Sequence, residues 1–165
     1  MNANHACDVH RDASYSNVCQ VCGVPMDAGY FDVASIKDAP KKVGDEVELA
    51  RYELNPQYCG TLLYFMQYAE DSVTTKQVIS HTPGYQWVIL CNNQPRAPYL
   101  PTELILNPWG ANALRIELRL EEGCTLRFVV RRVATTVSPE LSQVGGRLLG
   151  RTWYNTIYGG TPNRL

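Results

Sequence analysis

From residue 43 onward, the apolar residues of this chain fall into short runs, each about as long as a β-strand, separated by clusters of proline, glycine and asparagine. The runs span residues 46–54, 61–69, 86–91, 103–106, 113–121, 125–133 and 147–154. Short strands at this spacing are typical of an all-β sandwich or barrel, not of a parallel sheet with intervening helices. We therefore expect an all-β fold, an antiparallel, jelly-roll-like β-sandwich, over residues 43–165.

The most regular alternation of apolar and polar residues lies in the fifth and sixth runs. The apolar positions are Leu114, Ile116, Leu118, Leu120, Cys124, Leu126, Phe128 and Val130. Gly123 between the two runs suits a turn that closes on a left-handed glycine. The pattern predicts a β-hairpin with Leu118 opposite Leu126 on the core face. On the outer face, Glu117 then lies opposite Arg127, so apolar matching and charge matching agree.

Three further local patterns complete the expected sandwich. Residues 62–66 and 87–91 are apolar on both faces, which predicts strands that are covered on two sides or face a partner. Residues 138–141 predict one short helix, capped by Ser138 and ending near Gly145 and Gly146. The isolated cysteines, Cys59, Cys91 and Cys124, lie in or beside apolar runs, and we interpret them as small buried side chains.

The N-terminal segment contains the one arrangement with recognisable chemistry. Cys7, His10, Cys19 and Cys22 form two pairs, each separated by two residues, with Gly23 after the second pair. Three thiolates and one imidazole would complete a closed tetrahedral shell around Zn²⁺, which is typical of a structural rather than a catalytic site. The pairs resemble the knuckles of small zinc modules over residues 7–23.

Three alternatives remain open for these side chains. Cys19 and Cys22 could form a redox pair, although the expected strand before them and helix after them are missing. The cysteines could be surface thiols without metal. His5 could replace His10 as the fourth ligand.

The zinc-binding segment is expected to span residues 1–42. It has few apolar side chains, so a metal would supply folding energy that a hydrophobic core could not. Proline and glycine in residues 38–44 indicate a turn or linker, which sets the predicted boundary with the sandwich at residues 42 and 43.

Composition excludes several classes of protein. Hydrophobic residues make up 45% of the chain and charged residues 19%, which excludes a disordered protein. A net charge of −1 gives no general attraction to nucleic acid or to an anionic membrane. No signal peptide or membrane span is evident, and we expect a protein made in a cytosol. Nine of the eleven arginines follow Pro95, either as a solvated face or as a contact surface.

No catalytic signature is evident, and we expect no enzyme activity. His81 is the one histidine after the cysteine pairs, and its neighbour Ser80 would point to the opposite side of a strand. The Gly145-Gly146 and Gly159-Gly160 pairs lack the residues that follow in a phosphate-binding loop.

Aromatic residues allow a second functional class, a carbohydrate- or ligand-binding β-module. Trp87, Trp109 and Trp153 could stack on sugars, or could equally be core and interface anchors. The loop at residues 107–112 is the best candidate for an exposed binding loop.

From residue 43 onward the chain resembles small β-sandwich proteins that decorate or cement tailed-phage heads or act as virion adaptors. The resemblance lies in residues 54–58 (Leu-Asn-Pro-Gln-Tyr), the arginine-rich pair of runs at 113–133 and the segment 146–154. It implies a noncatalytic structural protein that assembles with capsid or tail proteins and with copies of itself. It also implies synthesis in the host cytoplasm, followed by incorporation into the virion.

Overall fold

A computed structural model describes residues 28–95, 101–105 and 118–154. The strands are β1 (Gly29–Asp38), β2 (Glu46–Glu53), β3 (Tyr58–Asp71), β4 (Tyr85–Cys91), β5 (Gln94–Pro95), β6 (Leu118–Leu120), β7 (Thr125–Arg132) and β8 (Leu141–Tyr154). They form two antiparallel sheets, and the described part of the chain has no helix. The predicted all-β sandwich is therefore confirmed. A helix that could cross a membrane is likewise absent from the described residues.

The strands pair in a nested order. β1 pairs with β8, β2 with β7, β3 with β6 and β4 with β5. Further pairing of β3 with β8 and of β4 with β7 joins these couples into a first sheet, β1-β8-β3-β6, and a second sheet, β2-β7-β4-β5. Two four-stranded sheets made in this way from one long folded-over hairpin have the strand order of a jelly roll.

The core lies between the two sheets and combines side chains from both. Phe65 of β3 contacts Phe128 of β7 edge to face, with ring centroids 5.6 Å apart. Trp87 of β4 also packs against Phe128, at 6.0 Å between centroids. Its indole Nε1 donates a hydrogen bond to the Thr82 hydroxyl, so this buried polar atom is satisfied.

The predicted hairpin of residues 113–133 is wrong in its pairing and right in its turn. Gly123 has a φ of 67°, and the Cys124 N–H donates to the Glu121 carbonyl, as in the predicted turn. However, β6 pairs with β3 in the first sheet, and β7 pairs with β2 and β4 in the second. The turn therefore carries the chain across the core from one sheet to the other. Ile116 and Glu117 lie outside the described residues.

The predicted inward faces of these two strands are nevertheless confirmed. Leu118 and Leu120 point into the core from the first sheet, while Leu126 and Phe128 point into it from the second. The same alternation buries the same residues whether the strands are neighbours or face one another. Arg127 pairs with Glu46 and Glu48 of β2, while its predicted partner Glu117 lies outside the described residues.

The sandwich begins before the predicted boundary at residues 42 and 43. β1 pairs with β8 along its whole length, from Gly29 opposite Thr152 to Asp38 opposite Gln143. Residues 29–38 therefore belong to the first sheet and not to a separate N-terminal segment. Ser35 on the inner face interrupts the apolar alternation of this strand, which hid it in the sequence.

The short helix predicted at residues 138–141 is wrong. Leu141 instead begins β8, and its N–H donates to the hydroxyl of buried Tyr85. Gly145 and Gly146 do not end an element but lie inside this strand. Glycine is needed at position 146 because a Cβ there would come within 2.6 Å of the Phe128 ring.

The isolated cysteines also differ from expectation. Cys91 and Cys124 are buried as predicted, but they are joined by a disulfide with a Cα–Cα distance of 6.3 Å. Cys59 is a free thiol and only partly buried, beside Trp153. The sequence alone could not pair Cys91 with Cys124, because connectivity does not follow from spacing.

Candidate functional sites on the outer faces of the two sheets

The predicted zinc ligands, Cys7, His10, Cys19 and Cys22, lie outside the described residues, as does the alternative ligand His5. Within residues 28–95, 101–105 and 118–154, no group of three or more His, Cys, Asp or Glu side chains is arranged to hold a metal ion. The zinc site therefore stays a prediction from the sequence.

An open groove of about 300 Å³ crosses the outer face of the first sheet. Ile36 of β1 and Tyr68 of β3 stand on either side of Gly145 of β8, because these three residues share one register row. A Cβ at Gly145 would lie 3.0 Å from the Ile36 side chain and 3.2 Å from the Tyr68 Cβ. Glycine thus forms the floor of the groove, and a larger residue would fill it.

The groove is mainly apolar and ends at an ion pair. Met66 lies on the Tyr68 side, and Ile36 is 62% exposed on the other. Arg147 of β8 lines the same groove, and its Nε donates to Asp32 Oδ1 over 2.8 Å. The hydrogen bond from Arg147 is the main cause that lowers the pKa of Asp32 below its usual value.

Strand β1, at the edge of the first sheet, is tied to the edge of the second. The Ser35 hydroxyl donates to the carbonyl of Leu49, which lies at a β-bulge of β2. Lys37 Nζ donates to the neighbouring Glu48 carbonyl over 2.6 Å. Both bonds occupy backbone carbonyls on the edge of β2, which an unprotected edge would offer to another strand.

The outer face of the second sheet is organised differently. Arg127 of β7 binds Glu46 and Glu48 of β2, and Arg131 also binds Glu46, with Nε 2.6 Å from Oε2. Next to this network, three apolar residues form a cluster of their own with less than 3% exposure: Val88, Leu90 and Val129. Strand β4 is thus buried on both faces over residues 87–91, as predicted.

A polar pocket of about 400 Å³ opens beside this network. It is lined by Arg51, Asn92, Asn93, Thr125 and Arg127. Asn92 and Asn93, both with positive φ, form the turn between β4 and β5, a conformation that asparagine tolerates. Arg51 and Arg127 lie directly opposite one another on β2 and β7.

Two of the predicted aromatic platforms are core residues. Trp87 is 1% exposed and Trp153 is 6% exposed, so neither offers a ring face to a sugar. Trp109 and the rest of the 107–112 loop lie outside the described residues. His81 is half-exposed, with Nε2 3.6 Å from Glu103 Oε2. No sequence pattern points to Ile36 or Tyr68, since their shared row exists only once β1 is placed in the sheet.

Cys59 lies against the turn that follows β6. Burial is the main cause that raises the pKa of its thiol, and the nearby carboxylate of Glu122 adds to this effect. A thiol with a raised pKa is a poor nucleophile near neutral pH.

No protein-family model matches this sequence, and no significant match was found among curated proteins or among solved structures.

Proposed function

We propose that this is a noncatalytic structural protein of a large assembly, which docks on its partner through the groove face of the first sheet. The observation that best supports this proposal is the groove, in which exposed Ile36 and the ring of Tyr68 flank a glycine floor on an open sheet face. Large apolar side chains that line an exposed patch mark interaction sites.

The lining of the groove favours a protein partner. Protein interfaces are enriched in tyrosine, methionine and arginine at an apolar centre with a polar rim. Tyr68, Met66 and Arg147 have this arrangement, with the Asp32–Arg147 ion pair at the rim. Because the groove lies on the face of the sheet and is lined by side chains, we expect a side chain of the partner to enter it.

The finer proposal is a decoration, cement or adaptor protein of a tailed-phage virion. The nested jelly-roll strand order supports it, since jelly rolls are common in viral capsids, and the resemblance of residues 54–58 and 146–154 points the same way. Fold alone hosts many functions, so the assignment rests on the docking face. The partners would be capsid or tail proteins and copies of this chain, with no nucleic acid or membrane. The protein would be made in the host cytoplasm and end in the virion.

The test is association of the purified protein, measured by native mass spectrometry alone and with candidate capsid and tail proteins. We expect Ile36→Glu to weaken association by about tenfold or more, since a charge would enter an apolar contact. Val133→Lys is the matched control, because Val133 is also exposed, at 42%, but follows β7 of the second sheet. Equal loss in both variants, or no association of the wild type with itself or any candidate, would contradict the proposal.

A carbohydrate- or ligand-binding module is the alternative. One observation favours it: the Tyr68 ring lines the groove together with Gln77 and Arg147, which could bind sugar hydroxyls. Against it, Ser35 already uses its hydroxyl on the Leu49 carbonyl. A glycan screen separates the two functions, because a stable monomer that binds glycans through Tyr68 and no virion protein would favour the module.

We also propose a structural Zn²⁺ held by Cys7, His10, Cys19 and Cys22. Metal analysis of protein purified without added metal should give about one zinc per chain. Cys22→Ser should remove it, whereas Cys59→Ser, the matched control at a free thiol in the sandwich, should not. Absence of zinc, together with rapid alkylation of Cys7, Cys19 and Cys22 in the native protein, would contradict the site.

A further inference from the structure

We propose that the polar pocket on the second sheet binds a phosphate or sulfate group. The pocket lies on the opposite sheet from the groove, so this site does not depend on the proposed docking function. Its residues come from β2, from the turn between β4 and β5, and from β7.

The hydrogen bonds of the turn determine which atoms the pocket presents. The Thr125 N–H donates to Asn92 Oδ1 over 2.9 Å, and Arg127 Nη1 donates to Asn93 Oδ1 over 2.9 Å. Both partners are donors only, so each asparagine must turn its oxygen to them. The amide Nδ2 groups take no part in these two hydrogen bonds, so they can donate to a ligand.

The remaining lining residues are also donors. Arg51 and Arg127 contribute guanidinium groups, and Thr125 contributes a hydroxyl. Among the described residues that line the pocket, none is a carboxylate. A concave site that offers two cations and several N–H donors selects a ligand made of acceptors, and guanidinium groups match the oxygens of phosphate and sulfate.

The nearby glutamates leave one of the two arginines exchangeable. Arg127 is held by Glu46, Glu48 and Asn93, which fixes its position. Arg51 forms an ion pair with Glu53, and both side chains are more than half exposed. Such exposed pairs contribute little, so an oxyanion can compete with Glu53 for Arg51.

The two sides of the pocket are fixed to one another. Cys91 and Cys124, joined by the disulfide, immediately precede Asn92 and Thr125. The Asn92 N–H also donates to the Thr125 carbonyl over 2.9 Å. A donor set held in place before binding loses less entropy when the ligand arrives.

Calorimetric titration of the full chain with inorganic phosphate, sulfate, glucose 6-phosphate, glucose and acetate tests this site. We expect saturable binding of phosphate and sulfate, and weaker binding of acetate. Tighter binding of glucose 6-phosphate than of inorganic phosphate would identify a sugar ester as the source, and equal binding would identify the free ion. Binding of glucose without the anions, acetate binding as tight as phosphate binding, or no saturable anion binding would overturn the proposal.

Asn92→Asp is the sharpest variant, because it keeps an acceptor for the Thr125 N–H but replaces the amide donor with a charged oxygen. We expect phosphate binding to weaken by about tenfold or more in this variant and in Arg51→Gln. Arg119→Gln, at an exposed arginine of β6 in the other sheet, is the matched control and should bind within about twofold of the wild type. Unchanged binding in folded Asn92→Asp, checked by its melting curve, would overturn the site.

Discussion

The inner faces of the two sheets both contribute apolar side chains to the core, but the outer faces differ in whether their apolar residues are exposed. On the first sheet, Ile36 is 62% exposed and lines an open apolar groove. On the second, Val88, Leu90 and Val129 are buried beside a network of arginines and glutamates. Apolar residues on an outer face can thus serve two purposes. Covered ones stabilise the chain, while uncovered ones remain available to a partner.

The largest expected effect is on a covered residue. Val129→Glu places a charge where the wild-type side chain has no exposure, and it should lower the free energy of unfolding by about 3 kcal/mol or more. Ile36→Glu makes the same kind of change on the first sheet and should cost about 1 kcal/mol at most. Urea denaturation of both variants measures the difference. Similar losses would show that the two outer faces are not distinct in stability.

The disulfide should have the next largest effect, and it belongs to the second sheet. Cys91 and Cys124 are 33 residues apart, and opening a loop of that length should cost about 3 to 4 kcal/mol through the entropy of the unfolded chain. Unfolding of the Cys91→Ala/Cys124→Ala variant measures this cost. Cys59→Ala is the single-thiol control and should lose clearly less, because Cys59 forms no disulfide. A double variant as stable as the wild type would contradict the prediction.

The smallest effect concerns the ion pair at the rim of the groove. The pKa of Asp32 is lower in the folded protein than in the unfolded chain. Its contribution to the free energy of unfolding is therefore present above the pKa of the unfolded chain, and it is lost as pH falls through the pKa of the folded protein. Both side chains are more than 40% exposed, which screens the pair, and Asp32→Asn should cost about 0.5 kcal/mol or less above pH 5. Below the folded pKa the variant and wild type should converge. The comparison is made by urea denaturation across acidic pH, and a cost that grows on acidification would contradict it.

Alternation in the sequence predicted which side chains enter the core but not which strands are neighbours. Leu118 and Phe128 point inward as expected, yet they belong to different sheets. A turn such as the one at Gly123 serves a hairpin and a crossing between sheets equally well, because local rules contain no information about which strand lies alongside. Long-range pairing in the jelly roll decides which strands are neighbours.

The candidate sites were less accessible to sequence analysis than the fold. The groove requires Ile36, Gly145 and Tyr68 in one row, and these residues come from three strands far apart in the chain. The polar pocket likewise depends on Arg51 and Arg127 being opposite one another, although they are separated by more than seventy positions. Single-sequence patterns extend over a few residues, so sites assembled across strands remained hidden.

The central position of β8 has a consequence for how the protein folds. β8 lies between β1 and β3, so the first sheet cannot close until residues 141–154 are available. On a ribosome, β1 and β3 are made early and must wait for β8, the last of the described strands, and such long-range pairing is slow. During that interval both strands expose the edges that β8 later fills, and this is when we expect a growing chain to be most vulnerable to aggregation and most dependent on chaperones.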